Sequence, residues 1–285
     1  MKEASYYIKK ENMEVSCNLC PRKCNIKDNY RGYCRSRYNI KGILYTENNF
    51  LSSMALDPIE KKPLFHFSPG GKILSVGASG CNFRCDFCQN WQISQCENKN
   101  VIKVSPRDLC NKAAELLSSG NIGVAYTYSE PVIMIEYVLE TAMLIKEKGM
   151  KNLFISNGYI EEIPLFDLLK YIDAFNIDVK AFSEESYLKN FSADFKIIKK
   201  NLELIKEKKK HLEISCLIVP GVNDKIDEGE NFFHWLSELD EKIPVHINRY
   251  FPCYKSETEA TSIEVLMAMK DVAEKYMKFV YVGNV

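Results

Sequence analysis

Residues 72–91 read KILSVGASGCNFRCDFCQNW, a short apolar run followed directly by a loop with three cysteines at the spacing C-x3-C-x2-C. The run from Ile73 to Val76 predicts a buried strand. Iron-sulfur clusters usually take four cysteine ligands, so a loop with three thiolates leaves one iron of a 4Fe-4S cluster without a protein ligand. We predict that Cys81, Cys85 and Cys88, the central cysteines, bind such a cluster and form the catalytic centre.

Two other interpretations of the central cysteines compete with this one. Zinc usually has four ligands in a structural site, and Cys96 or a histidine could supply the fourth. The cysteines could also be reduced thiols packed in a core, although core thiols rarely share one glycine-bounded loop. The iron-sulfur interpretation is favoured because the spacing and the position after a strand agree with each other.

Beyond this loop, apolar runs of strand length alternate with segments of helical periodicity, which is typical of a parallel sheet with helices outside. Ser105 and Pro106 begin the first such helix and Gly120 follows its end. Strands are predicted at 73–76, 123–127, 152–156, 174–178, 212–219, 244–248 and 279–282, and further helices at 131–149, 194–209, 227–239 and 262–275. We expect an α/β fold, either a partial or near-complete (β/α) TIM-type barrel or an open doubly wound sheet, with functional residues at the carboxyl ends of the strands.

The sequence divides into an N-terminal cysteine-rich extension, residues 1–70, and the barrel, residues 71–285. Residues 42–56 alternate in polarity around turn-forming residues at 47–49, which predicts a hairpin. The N-terminal cysteines, Cys17, Cys20, Cys24 and Cys34, have the spacing C-x2-C-x3-C-x9-C. Four thiolates can complete a zinc site or a second iron-sulfur cluster, and spacing does not choose between them. A metal is expected here because so short an extension has little core of its own.

Composition excludes several classes of function. Lys plus Arg and Asp plus Glu are both 38, so no net charge attracts nucleic acid or an anionic membrane surface. The sequence has no apolar run of about 18 residues, and its N-terminus lacks the apolar stretch of a signal peptide. We therefore expect a cytoplasmic protein whose eleven cysteines stay reduced, so that close cysteine spacings indicate metal binding or catalysis.

C-x3-C-x2-C with an aromatic residue between the last two cysteines resembles the signature of radical S-adenosylmethionine (SAM) enzymes. The strings DPIEKKPLFHFSPG, GCNFRCDFCQNWQISQ, AYTYSEP, SNGYI, DVKAF, VPGVND and YVGNV resemble the AmmeMemoRadiSam-system branch, which is similar to pyruvate formate-lyase activating enzymes. The resemblance covers nearly the whole chain.

The resemblance implies an oxidoreductase that cleaves SAM reductively at a 4Fe-4S cluster and uses the 5'-deoxyadenosyl radical to abstract hydrogen from a substrate. It also implies a flavodoxin or ferredoxin as electron donor and a glycyl-radical-type protein as substrate. Modification of a peptide or small molecule is the alternative within the same chemistry. A non-catalytic zinc-binding interaction protein is the alternative from another class.

In related enzymes the ends of the barrel strands contact SAM, and the resemblance carries this role to eight residues here. They are Tyr128, Ser129, Glu130, Ser156, Asn157, Asp178, Lys180 and His246. The competing interpretations are a helix cap, a turn, a rim salt bridge and a histidine satisfied within the core. Two positions depart from the pattern of activating enzymes, because Ile155 stands in place of a cation-binding aspartate and Ser215 in place of an arginine for the SAM carboxylate.

Overall fold

The computed structural model describes residues 1–47, 49–96 and 100–285. The N-terminal part forms two small antiparallel sheets, ordered β1-β6-β5 and β2-β3-β4. Their strands are β1 (Lys2–Glu3), β2 (Tyr7–Lys9), β3 (Val15–Cys17), β4 (Asn25–Ile26), β5 (Arg37–Ile40) and β6 (Ile43–Thr46). The turn between β5 and β6 places Lys41 and Gly42 at positive φ, as the tight turns of hairpins require.

Within the described residues, the central sheet has nine strands in the order β15-β14-β13-β12-β11-β10-β8-β7-β9. They are β7 (Phe50–Pro58), β8 (Lys72–Ala78), β9 (Ile102–Lys103), β10 (Asn121–Tyr126), β11 (Lys151–Ser156), β12 (Ala174–Asp178), β13 (His211–Ile218), β14 (Val245–Arg249) and β15 (Val280–Gly283). Strands β8 and β10 to β15 are parallel, and they correspond to the seven predicted strands. The two edges of the sheet do not pair within the described residues, so the barrel is partial.

Eight α-helices accompany the strands within the described residues. They are α1 (Trp91–Ser94), α2 (Pro106–Glu115), α3 (Ile135–Glu147), α4 (Glu162–Leu169), α5 (Glu184–Phe191), α6 (Phe195–Glu207), α7 (Ile226–Asp240) and α8 (Ile263–Glu274). Ser105 caps α2 as predicted, since its hydroxyl accepts a hydrogen bond from the backbone N–H of Asp108. None of the helices in the described ranges combines the length and the apolar character needed to span a membrane.

The predicted hairpin at residues 42–56 is wrong. Strand β6 pairs with β1 and β5, whereas β7 pairs with β8 and β9. The predicted turn includes Asn48, which lies outside the described residues, and the N–H of Phe50 donates to the carbonyl of Glu47 across it. Alternating polarity indicates a strand but not its partner, and here the chain passes from one sheet to another. The central sheet therefore begins with β7, before the boundary predicted at residue 70.

Residues 59–71, the crossing segment, connect β7 to β8 and run across the sheet face that is turned away from the α-helices. Its Ile59 and Leu64 pack against apolar residues of β8, β10, β11 and β12. The crossing segment continues as far as the opposite edge, where the imidazole of His66 hydrogen-bonds the hydroxyl of Tyr281 on β15. It thus fills part of the interior of the partial barrel and leaves the carboxyl ends of the strands open to a cavity.

Candidate functional site

A cavity of about 670 Å³ lies at the carboxyl ends of the central strands. This volume is within the range of roughly 300–1,000 Å³ that is usual for small-molecule sites. All three central cysteines line it, together with the predicted strand-end residues Tyr128, Ser129, Glu130, Ser156, Asn157, Asp178 and Lys180. The fold therefore brings together residues that are up to about a hundred positions apart in the chain, because parallel strands end at the same edge of a sheet.

The loop after β8 turns the central cysteines toward this cavity. The sulfur of Cys81 accepts a hydrogen bond of 3.3 Å from the N–H of Phe83, and the sulfur of Cys88 lies 3.1 Å from the hydroxyl of Ser94. Burial raises the pKa of Cys81 well above its usual value and that of Cys85 to about 12. Thiolates buried in this way need a nearby cation, and an iron-sulfur cluster provides one.

Thiolate ligands on one loop fit an iron-sulfur cluster by the chemistry of the donor set. In the described part of the chain, however, no three His, Cys, Asp or Glu side chains already stand where they could hold a metal ion together. A 4Fe-4S cluster makes a different demand from a single ion, because each cysteine binds a different iron and the sulfurs stay several ångströms apart.

Glu130 connects two strand ends beside the central cysteines. Its carboxylate accepts hydrogen bonds from the hydroxyl of Ser156 at 2.7 Å, from the N–H of Asn157 at 2.9 Å and from the N–H of Val132 at 3.0 Å. Burial raises the pKa of Glu130 to about 7, although these three bonds act in the opposite direction. A buried carboxyl with such a pKa is a suitable partner for a cationic group of a ligand.

Asn157 connects the end of β11 to the cysteine loop. Its side-chain N–H donates to the Oδ1 of Asn82 at 2.8 Å, and the same nitrogen lies 4.0 Å from the sulfur of Cys81. Asn82 in turn donates to the carbonyl of Tyr159. The amide pair thus holds the first central cysteine in register with the strand ends.

Asp178 and Lys180 lie on the same face of the chain at the end of β12, as alternation predicts, and form an ion pair of 3.0 Å. Burial opposes the charge of Lys180, but Asp178 and Cys85 outweigh it, so the pKa of Lys180 is raised. The ammonium also stabilises the thiolate of Cys85. The side chain of Asp178 is 40% exposed, which leaves it accessible from the cavity.

Two buried polar atoms on the cavity wall, the hydroxyl of Ser215 and the Oδ1 of Asn176, have no hydrogen-bond partner in the part of the chain that the structure describes. A buried polar group left unpaired costs about 1–3 kcal/mol, so a ligand with hydroxyl or amine groups would stabilise this wall. Sequence reasoning missed Asn176. The signal was a polar residue in the middle of the buried strand AFNID, where only a specific partner makes an amide favourable.

The structure places His246 away from the cavity. Its imidazole bonds Glu213 at 2.7 Å, and both residues lie near the amino ends of their strands, β14 and β13. Glu213 also accepts from the imidazole of His211 and from the backbone N–H groups of Phe65 and His66. His246 is therefore a histidine satisfied within the core, and the interpretation of it as a cofactor contact is wrong. Asn248, two residues further along the same face, lines the cavity instead.

A second group, of which the sequence predicted only Tyr128, lies on the β7 side of the cavity. The carboxylate of Asp57 accepts from the ammonium of Lys62 at 2.8 Å and from the hydroxyl of Tyr128 at 2.6 Å. The ammonium also lies 4.4 Å from the ring centre of Tyr128. The neighbouring Lys61 has a side chain that is 69% exposed, against 5% for Lys62. The sequence alone does not indicate which of these adjacent lysines is buried. The path of the crossing segment decides it.

The model of the radical SAM superfamily matches residues 76–235, from β8 into α7, which include the central cysteines and most of the strand ends around the cavity. The chain belongs to this superfamily. Its members use a 4Fe-4S cluster and SAM, so the predicted family and the iron-sulfur interpretation of the central loop agree.

The chain is also similar to individual proteins. An uncharacterized protein of Methanocaldococcus jannaschii is 39% identical, with 100% of this chain and 86% of that protein aligned. The pyruvate formate-lyase-activating enzyme of Staphylococcus epidermidis is 22% identical over 59% of this chain and 72% of that enzyme. Among solved structures, Streptococcus suis SuiB bound to S-adenosylmethionine has a TM-score of 0.58 at 13% identity, covering 74% of this chain and 51% of SuiB. The last similarity concerns the fold alone and confirms the partial (β/α) barrel.

Proposed function

We propose that this chain is a radical SAM enzyme that acts on a protein or peptide, in the manner of a glycyl-radical activating enzyme. The observation that carries the chemical part is the single cavity lined by all three central cysteines and by seven of the eight predicted strand-end residues. When bound, the 4Fe-4S cluster supplies one electron to SAM, which divides into methionine and a 5'-deoxyadenosyl radical.

The residues of the cavity suit the three polar parts of SAM. We assign the amino group to Glu130, because a buried carboxylate stabilises an ammonium ion, and the carboxylate to Lys180. The unpaired oxygens of Ser215 and Asn176 suit the ribose hydroxyl groups. Ser215 stands where related enzymes have an arginine, so Lys180 carries the carboxylate contact without that second cation.

Water must be excluded from a site that produces a carbon radical. Phe83 and Phe87 alternate with the central cysteines, are both buried and both line the cavity. We propose that these rings shield the reacting centre on the side of the cysteine loop.

The substrate part of the proposal is supported by similarity to the pyruvate formate-lyase-activating enzyme. A protein substrate would enter from the carboxyl ends of the strands, where Gln89 and Asn90 offer exposed amides beside Cys88. A peptide or small molecule modified by the same radical chemistry is the second candidate. The electron would come from a flavodoxin or ferredoxin. All eleven cysteines lie within the described residues and none forms a disulfide there, which suits the reducing cytoplasm.

We further propose that the N-terminal cysteines bind a second metal, as zinc or as an iron-sulfur cluster. All four line one small cavity beside the cysteine loop, although they are up to seventeen residues apart in the sequence.

The central test is anaerobic reconstitution with iron and sulfide, followed by dithionite reduction and measurement of 5'-deoxyadenosine. The native chain should form it, and the triple variant C81A/C85A/C88A should not. The control is C110A, which removes a buried thiol of α2 that does not line the cavity. Equal product from the native chain and the triple variant would refute the proposal. Trapping of partners by the reduced enzyme, analysed by mass spectrometry, then separates a protein substrate from a small molecule.

A further inference from the structure

The cavity between the N-terminal cysteines is small. Its volume is about 20 Å³, and Cys17, Cys20, Cys24 and Cys34 all line it. About 10–15 Å³ is the space that one water-sized sphere requires. The size of this space is therefore closer to that of a single metal ion than to that of a core of four irons and four sulfides.

Each of the four sulfurs has a backbone N–H group near it. The N–H groups of Leu19, Arg22 and Ser36 act to lower the pKa values of Cys17, Cys20 and Cys34, against the stronger effect of burial, and each lies two residues after its cysteine. The fourth donor is the N–H of Tyr33, which lies 3.4 Å from the sulfur of Cys24. Donors directed at sulfur stabilise thiolates, and such contacts around ligands are a regular feature of metal sites.

Arg37 places a buried positive charge beside the same cavity. Its side chain is 1% exposed, and its terminal nitrogens donate to Glu136 at 2.6 Å and to the carbonyl of Ser5 at 2.9 Å. Its Nε has no partner among the described residues. The guanidinium is close enough to interact electrostatically with Cys17 and Cys34. Four thiolates around one dication carry a net charge of −2, so a guanidinium beside them is stabilising, even though Glu136 already pairs with one of its terminal nitrogens.

From these observations we infer that the N-terminal cysteines bind one zinc ion. The inference rests on the proposed second metal site and chooses between its two forms. It does not depend on the radical chemistry. The sulfurs are not yet at ligand distances in the described structure, so zinc binding draws the four side chains inward around the 20 Å³ space.

The zinc site lies directly behind the cysteine loop of the catalytic cavity. A Cβ at Gly80 would lie 2.3 Å from the carbonyl oxygen of Cys34, which shows how closely the two loops approach. Arg22 crosses between them, since its Nε donates to the carbonyl of Asn82 at 2.9 Å and its terminal nitrogens donate to the carbonyls of Phe191 and Ser192. The zinc ion thus stabilises the wall that positions Cys81.

The test uses the full chain with the triple substitution C81A/C85A/C88A, so that any metal found belongs to the other site. Elemental analysis of protein purified without added metal should give one zinc per chain and no iron. The variant C17A/C20A should lose this zinc, and C110A should keep it. Circular dichroism establishes whether C17A/C20A is folded.

A second measurement needs no substitution in the site itself. Cobalt(II) exchanged into the triple variant should give the absorption bands of a tetrahedral tetrathiolate complex. Iron with the absorption and EPR signals of an iron-sulfur cluster would overturn the zinc inference and leave the second metal site standing. Absence of both metals and of the cobalt bands would overturn the site as well. Neither result bears on 5'-deoxyadenosine formation, which is measured separately on the native chain.

Discussion

The hydroxyl of Ser156 donates a hydrogen bond of 2.7 Å to the carboxylate of Glu130, and this bond joins the end of β11 to the segment that follows β10. The pair lies on the cavity wall beside the central cysteines. Because burial raises the pKa of Glu130 to about 7, the carboxyl changes charge near neutral pH. The affinity of the cavity for an ammonium group is therefore coupled to a proton.

We predict that E130Q weakens SAM binding to the reconstituted protein. A hydrogen bond to a charged group contributes about 1.5–3 kcal/mol, which corresponds to roughly 10- to 150-fold in the dissociation constant. For the native chain the affinity should rise between pH 6 and 8, through the pKa of about 7, because the carboxylate form binds the amino group. Titration calorimetry across this range measures both effects. An unchanged affinity in E130Q, or a pH dependence that survives in it, would contradict the assignment.

The substitution G80A can be compared with G149A as a matched control. Both have positive φ, 107° and 72°, so alanine strains the backbone at either position. A Cβ at Gly80 would lie 2.3 Å from the carbonyl of Cys34, whereas one at Gly149 would have no neighbour within 4 Å. We expect G149A to cost about 1 kcal/mol and to bind iron normally. G80A should lose iron at the central cysteines and zinc at the N-terminal cysteines together. Normal metal content in G80A would show that the two loops are independent.

The lowered pKa of Glu213 predicts that the protein loses stability in acid. Its hydrogen bonds to two histidines and two backbone N–H groups outweigh burial and lower its pKa from 4.5 to about 2. The stabilisation from a lowered carboxyl pKa is present above the unfolded value of 4.5 and is lost as the pH falls toward 2. In E213Q the free energy of unfolding should be about 2–3 kcal/mol lower at pH 6, with the difference shrinking below pH 4. Denaturant unfolding at several pH values measures this.

The substitution H246A tests whether His246 belongs to the core or to the SAM site. H246A should lower stability, because it removes a partner of the buried Glu213, and it should leave the dissociation constant of SAM within about twofold. A large loss of SAM affinity in a folded H246A protein would contradict this assignment and indicate that the histidine contacts the cofactor.

Lys61 and Lys62 are adjacent, but only the second is buried. Although burial alone would raise the pKa of Asp57, Lys62 and Tyr128 lower it, so Asp57 is charged and depends on them. Removal of one partner from a buried ion pair costs about 3–5 kcal/mol. K62M should therefore lower the free energy of unfolding by about that amount, and K61M by less than about 1 kcal/mol. Similar values for the two variants, by urea unfolding, would contradict the buried path of the crossing segment.

The parallel strands and the cysteine loop could be predicted because their signals are local. KILSVGA and NIGVAY are mostly apolar, as strands covered on both faces require, and the spacing of the central cysteines lies within one loop. The hairpin at residues 42–56 was not predicted correctly, because alternation in β6 and β7 does not encode which strand each one meets. The grouping of Glu130, Ser156 and Asp178 could be predicted, because parallel strands end at one edge of the sheet.

The sequence by itself determined the chemistry available to this protein: three thiolates on one loop after a buried strand, four more in the N-terminal part, and polar residues where the strands stop. Only the tertiary structure decided that His246 bonds Glu213 near the amino ends of the strands, that Lys62 is buried while Lys61 is largely exposed, and that the four N-terminal cysteines line one small cavity beside the loop of Cys81. The physical reason is that the type of ligand and the periodicity of a segment depend only on residues that are close together in the chain. The end of the barrel a side chain reaches and the space left between loops depend on contacts between segments that are distant in the chain.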